Sequence, residues 1–181
     1  MFLLLISLAS AHSAHVGVLH TGTSGAATDR LGVNAEAHFV GSPGLLRVRG
    51  LVVPLSEPIS GAGVIGVARS LPIKGAWSFA PGLDVSRGVM NLDSSLGCGS
   101  GCRSTSLSLI PKGTLMWGGD VWSVAGSLGL STTWSSIKNS SLNLAPALRL
   151  GVAHSSGGWV QAESGEIRDF SAISAGWSWS F

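Results

Sequence analysis

The sequence predicts an all-β fold: a single up-and-down antiparallel transmembrane β-barrel of ten strands, with eight strands as the alternative count. Three observations predict it. Apolar residues recur at every second position through most of the chain, which is the period of a strand with two unlike faces. Only 11% of the residues are charged, against about 25% in an ordinary soluble domain, and the mean hydropathy is positive. Yet no apolar run approaches the roughly 18 residues that a membrane helix needs. The length of 181 residues is that of one domain. A net charge of +2, with no basic cluster, favours neither a nucleic acid nor an acidic partner.

The chain opens on Met1-Phe-Leu-Leu-Leu-Ile-Ser-Leu-Ala-Ser-Ala11, an apolar stretch closed by small residues, as in a secretory signal peptide. Ala9-Ser-Ala11 fits small-x-small cleavage, so residues 1–11 are expected to be the signal and residues 12–181 the barrel domain, with a cut after Ala14 as the alternative. The segment is short and has no Lys or Arg ahead of its apolar run. A buried N-terminal strand is the competing reading.

Ten alternating segments follow. The first is Val16 to Thr21 and the second Arg30 to Val40, where Leu31, Val33, Ala35, Ala37 and Phe39 oppose Gly32, Asn34, Glu36 and His38. Gly41-Ser-Pro-Gly44 is a tight turn. Beyond it Leu46, Val48, Gly50 and Val52 share one face and Arg47, Arg49 and Leu51 the other. Folding this hairpin about its turn sets Phe39 beside Leu46, Ala37 beside Val48 and Glu36 beside Arg49, like with like and charge with opposite charge. A weaker fourth strand, Gly63 to Arg69, leads to a turn around Pro72 to Gly75 and a fifth strand from Trp77 past Val85. The sixth runs from Leu107 to Trp117, and Gly119-Asp120 is read as a two-residue turn that brings Trp117 beside Trp122. The seventh alternates Trp122, Val124, Gly126, Leu128, Leu130 and Trp134 with Ser123, Ala125, Ser127, Gly129 and Ser131. The eighth carries Leu142 to Val152, and a short ninth runs from Trp159 to Ser164. Pro81, Pro111 and Pro146 lie within strands, where the missing N–H predicts bulges or irregular pairing. If the fourth and ninth segments do not span, eight strands remain.

The last segment alternates without a break. Ile173, Ala175, Trp177, Trp179 and Phe181 occupy one face, and Ala172, Ser174, Gly176, Ser178 and Ser180 the other. A final strand that ends on Phe, with aromatic residues two and four positions before it, resembles the C-terminal assembly signal of Gram-negative outer-membrane β-barrel proteins, and the in-strand prolines resemble those of small OmpA-like barrels. The resemblance implies an integral outer-membrane location among lipid and lipopolysaccharide, insertion by the barrel-assembly machinery, and no cofactor.

Loop lengths suggest an orientation. If the mature N-terminus is periplasmic, the connections after even-numbered strands are the short ones and those after odd-numbered strands are mostly longer and more polar, as in outer-membrane barrels. Trp77, Trp117, Trp122 and Trp159 then fall with Trp177 and Trp179 near the periplasmic ends of their strands, and Trp134 near the outer end. That placement is an aromatic girdle.

The two faces decide between a membrane barrel and a soluble one of lipocalin type. The polar face is mostly Ser, Gly, Ala and Asn, too poor in charge for a solvated exterior. It is therefore predicted to line the lumen, with Glu36, Arg47, Arg49, Asp84, Lys112 and Arg149 projecting inward as an ion-pair network or the wall of a narrow pore. Barrels of this size are close to filled by their own side chains, which favours the network.

Cys98-Gly-Ser-Gly-Cys102 holds the only two cysteines. Without further ligands they cannot complete a zinc site, and in an oxidising compartment a local disulfide pinning the longest loop is the better reading, with free thiols as the alternative. His154-Ser-Ser156 with Asp169 loosely resembles the His-x-Ser and downstream acid of lipid A deacylase barrels, but Gly157 and Gly158 replace the Asn residues of that family. His15, His20 and His38 have no metal-ligand spacing. The function expected is a structural or surface-interaction role for the outer loops and their unidentified ligand, then a small-solute channel, then a lipid A-modifying enzyme.

Overall fold

The computed structural model describes residues 9–23, 26–41, 44–53, 60–91, 103–135, 143–165 and 170–180. Its strands are β1 (Ala9–Thr23), β2 (Ala26–Gly41), β3 (Gly44–Val53), β4 (Ser60–Ala68), β5 (Leu71–Lys74), β6 (Trp77–Asn91), β7 (Arg103–Gly118), β8 (Trp122–Ser135), β9 (Asn143–His154), β10 (Gly158–Ser164) and β11 (Phe170–Ser180). Apart from β4 and β5, strands consecutive in the chain are neighbours in the wall, and β11 returns to pair with β1 from Ser13↔Ser180 to Thr23↔Phe170. On the other side β4 pairs with β6 from Gly61↔Val89 to Ala68↔Gly82, so the sheet closes. The short β5 also pairs with β6 and continues the course of β4 beyond a break at Arg69 and Ser70. Counting β4 and β5 as one wall position, the barrel has ten strands, closed, antiparallel and up-and-down. The two weak segments both span, since β4 is paired on both sides and β10 joins β9 to β11.

The β2–β3 hairpin has the register its side chains ask for: Glu36↔Arg49, Ala37↔Val48 and Phe39↔Leu46. The β7–β8 hairpin departs from expectation by two residues, with Trp117 opposite Val124 and Gly118 opposite Ser123. The reversal takes residues 119–122, closed by the Gly119 N–H donating to the Trp122 carbonyl at 2.9 Å. A shift of two preserves the faces. Of the turn expected around Pro72 to Gly75, residues 71–74 extend as β5 and the chain reverses at Gly75, where φ is 59° and a side chain would be strained.

The prolines produce no bulges, but irregular pairing of the kind expected occurs at Pro111 and opposite Pro81, where the neighbouring strand breaks at Arg69 and Ser70. Pro81 sits opposite Gly113 and Pro146 opposite Leu130 in uninterrupted register. At Pro111 the β7–β8 ladder lapses between Leu109↔Thr132 and Lys112↔Gly129 and then resumes in the same register. All three rings are on the outer face. The register shifts lie elsewhere, in β1–β2 and in β5–β6.

The barrel is inverted relative to a soluble fold. Val16, Val18, Val33, Ile65, Leu128, Leu130, Leu148, Leu150, Val160 and Ile173 are exposed on the outside, while Asn34, Glu36, Arg47, Arg49, Asp84, Ser86, Ser108 and Ser174 are buried within. From Trp122 to Trp134 along β8 the chain advances about 40 Å at the usual rise per residue, or about 30 Å along the axis at the tilt typical of such barrels. That matches a hydrocarbon core. The ends of β2 and β3 at Gly41 and Gly44, the turns at residues 119–121 and 155–157, and β5 with its turn lie at one end, called here the turn end. The ends of β3 and β4 at Val53 and Ser60, of β6 and β7 at Asn91 and Arg103, and of β8 and β9 at Ser135 and Asn143 lie at the other, the loop end.

Leu128 is 63% exposed at the middle of β8. Leu128→Arg should lower folding stability in phospholipid vesicles by about 2–4 kcal/mol, measured by urea titration, whereas Ser127→Ala on the inner face should change it by less than about 1 kcal/mol.

Candidate functional site

Period-two alternation delivers the ionisable residues to the axis. On β2 the inner-facing positions are Asn34, Glu36 and His38, on β3 Arg47, Arg49 and Leu51, and on β10 Trp159, Gln161 and Glu163. The six inner charges named from the sequence come together in one network, joined by Glu163. Arg49 crosses the lumen to Glu163, donating from Nη1 at 2.5 Å and from Nη2 at 2.6 Å, while its Nε donates to Asn34 Oδ1 at 2.9 Å. Arg149 of β9 also crosses, reaching Glu36 Oε2 at 2.7 Å, and His38 Nε2 lies 2.5 Å from Glu36 Oε1. Asp84 of β6 receives Arg47 Nη2 and Lys112 Nζ, each at 2.5 Å on Oδ2. Longer approaches of Arg47 and Arg49 to Glu36, at 3.9 and 3.8 Å, join the two halves.

Glycine makes room for this. Gly66 of β4 stands between the strands that carry Arg47 and Asp84, and a Cβ there would collide with the Asp84 carboxylate. The Arg49 side chain is 0% exposed. On the loop side of the network Leu19, Leu51 and Ala172 pack together, and Ser108, Ser131 and Thr133 link hydroxyls across β7 and β8. The lumen is thus filled from its middle towards the loop end among the described residues.

Towards the turn end it widens. A cavity of about 290 Å³ has apolar sides that include Leu45, Ala68, Met116, Ala125, Ala153 and Trp159, and a floor that includes Arg47, Asp84, Lys112 and Arg149. His15 and His38 sit in its wall with ring centroids 4.8 Å apart.

Trp159 corrects the expected girdle. Its indole is 8% exposed and faces the lumen, because it shares parity with Gln161 and Glu163 while Val160 and Ala162 face outward. Trp159 stands opposite Gly176, which in turn stands opposite Gly17, and its ring reaches over Gly17, where a Cβ would lie 2.7 Å from it. Trp77, Trp122, Trp177 and Trp179 are exposed on the outer face towards the turn end, with Trp117 half-buried beside them, and Trp134 is exposed towards the loop end. Ile173 and Ala175 are likewise on the outer face, and Phe181, Cys98 and Cys102 lie outside the described residues. β1 begins at Ala9, so Ala11 and Ala14, the two cleavage positions weighed, lie within its first turn-end residues, with residues 1–8 outside the described range.

Alternation along β10 would have placed Glu163 in the network, and alternation along β6 would have placed Arg87 on the outer face. Arg87 is exposed there near the loop end, opposite Leu107, which itself stands opposite Trp134. His20 is also exposed on the outer face near that end. A cation on a lipid-facing wall is tolerated at the headgroup boundary, where its head reaches polar surroundings.

His154 and Ser156 are local partners. The Ser156 N–H donates to His154 Nδ1 at 3.1 Å and the Ser156 hydroxyl lies 2.7 Å from the same nitrogen, with the imidazole edge-on to Trp122. Asp169 lies outside the described residues, and the flanking Gly165 and Phe170 are at the far end of β10 from His154. Among the described residues, no group of three or more His, Cys, Asp and Glu could hold a metal ion.

The closed wall, its up-and-down order and its inverted faces define the class: a small membrane-type β-barrel, the architecture of outer-membrane barrel proteins. No protein-family model and no curated protein matches the chain. Among solved structures it is similar to the toluene transporter TodX of P. putida, with 10% identity over 90% of this chain and 65% of that one and a TM-score of 0.32. It is also similar to Ail, the attachment invasion locus protein of Yersinia pestis, with 11% identity over 93% of this chain and 98% of that one and a TM-score of 0.29. These overlaps are low, and the class rests on the barrel's own geometry.

Arg49→Met should destabilise the barrel by about 3–5 kcal/mol, since it strands the buried Glu163 carboxylate, and Arg49→Met with Glu163→Met should recover a large part of the loss. Equilibrium unfolding of both variants in the same vesicles checks this.

Proposed function

We propose that the chain is an integral outer-membrane barrel with a plugged lumen, acting as a structural and surface-interaction protein through its loop end. The observation that carries this reading is the pair of ion bridges that cross the lumen, Arg49 to Glu163 and Arg149 to Glu36. Their breakage would leave buried charges unpaired, a cost of several kcal/mol each. Such a barrel is a rigid post on which loops are displayed, and loops on rigid scaffolds are where binding usually sits. The long connection carrying Cys98 and Cys102 is the proposed contact surface for a ligand outside the cell. Lipopolysaccharide is the natural neighbour of that end, and the outward Arg87 beside Leu107 and Trp134 suits its phosphates. The aromatic face of β11, with Trp177 and Trp179, supports recognition by the barrel-assembly machinery, and the apolar start of the chain supports export with removal of a signal peptide.

A second reading, a gated small-solute channel, is favoured by the wide turn-end cavity, which would be its inner mouth. Conduction would then require the Arg49–Glu163 bridge to part. Lipid A modification has the weakest support, since His154 Nδ1 already accepts the Ser156 N–H in a local turn. In planar bilayers the purified protein should give no sustained single-channel current. Regular stepwise currents abolished by a lumen-filling Ser127→Trp change would replace the plugged reading with the channel.

A further inference from the structure

We infer that the turn-end cavity is a binding site for a small amphipathic organic anion, a carboxylate on a short apolar body. The inference goes beyond the role proposed for the loop end and does not depend on it.

Three features of the cavity point the same way. Its sides are largely apolar near the mouth, from Leu45, Ala68, Met116, Ala125 and Ala153 with His15, His38 and Ser123 among them, whereas its floor is ionic. Among the described residues the ion-pair network that meets the floor has more cations than carboxylates: Arg47, Lys112 and Arg149 line the cavity with Glu36 and Asp84, and Arg49 with Glu163 belongs to the network but not to the lining. Asp84 in particular serves both Arg47 and Lys112 through one oxygen, so an incoming carboxylate can take Lys112 while Asp84 keeps Arg47. Arg149 is the least buried of the four cations, with its side chain 16% exposed, and lines the same cavity.

The third feature is the Trp159 indole N–H. It is buried at the cavity wall and meets no acceptor among the described residues. A buried donor without a partner is a place where a bound acceptor is stabilised. The ring itself lies over Gly17, where a side chain would collide with it, and offers an aromatic surface for an apolar body. The volume, about 290 Å³, is at the lower bound of small-molecule pockets and suits a molecule of this kind.

The probe is octanoate, with octylamine and acetate as controls, titrated by calorimetry into the folded full-length barrel held in amphipol. Octanoate should bind saturably, octylamine and acetate at least tenfold more weakly. Lys112→Met should weaken octanoate at least tenfold while Lys112→Arg retains it, and Trp159→Phe should weaken it several-fold. Ala125→Trp, or Ala153→Phe if the first does not give a barrel by circular dichroism, should abolish binding by filling the cavity. Equal binding of octanoate and octylamine, octanoate binding that survives the filled cavity, or no saturable heat would each overturn the site, the second identifying uptake by the outer apolar belt alone.

Discussion

In hydrocarbon there is no water to pair a backbone amide or carbonyl, so a chain that crosses it in strands must return to its own first strand. The pairing of β1 with β11, from Ser13↔Ser180 through Thr23↔Phe170, is where this chain meets that demand. Everything else in the structure follows from closing the sheet. Once closed, the barrel has an outside and an inside and no edge to protect, and the period of two sorts the residues between them. The adhesive face of Trp177 and Trp179, hazardous on a soluble edge strand, becomes part of a continuous outer wall.

Closure also creates the site. Around the axis, residues distant in sequence but equal in height come within reach, which is how Arg49 meets Glu163 and Arg149 meets Glu36. Small residues on the inner face keep the wall thin enough for long side chains to cross. Gly66 admits the Arg47–Asp84 pair, and Gly17 admits the indole of Trp159. The same economy of volume leaves the turn-end cavity open, because Ala125, Ala153 and Ala68 are too short to fill it. Among the described residues, ion pairs span the lumen in its middle and a cavity lies towards one end.

The fold was legible because alternation is a local property. The β2–β3 register could be read from the turn at residues 41–44 and from Glu36 facing Arg49, and the structure has that register. The β7–β8 register was harder, since the turn chemistry at Gly118-Gly119-Asp120 allows more than one reversal and Trp117 packs over Gly119, a contact invisible in sequence. Residue type alone points Trp159 to a girdle, whereas parity with Gln161 and Glu163 places it inside. Which inner charges pair across the lumen was not legible, because it depends on the stagger between strands, and stagger is a property of the closed barrel rather than of any one strand. The loops that connect the strands at the loop end carry little periodicity for such reasoning to use.

The most direct test of the inverted barrel is a nitroxide scan along β8 in lipid bilayers, with Cys98 and Cys102 replaced by Ser and one label at a time from Val124 to Ser131. The account predicts that collisions with oxygen dissolved in lipid peak at Val124, Gly126, Leu128 and Leu130 and fall at Ala125, Ser127, Gly129 and Ser131. Oxygen-shielded labels at Leu128 and Leu130, with Ser127 open to a water-soluble relaxant on the outer surface, would contradict it.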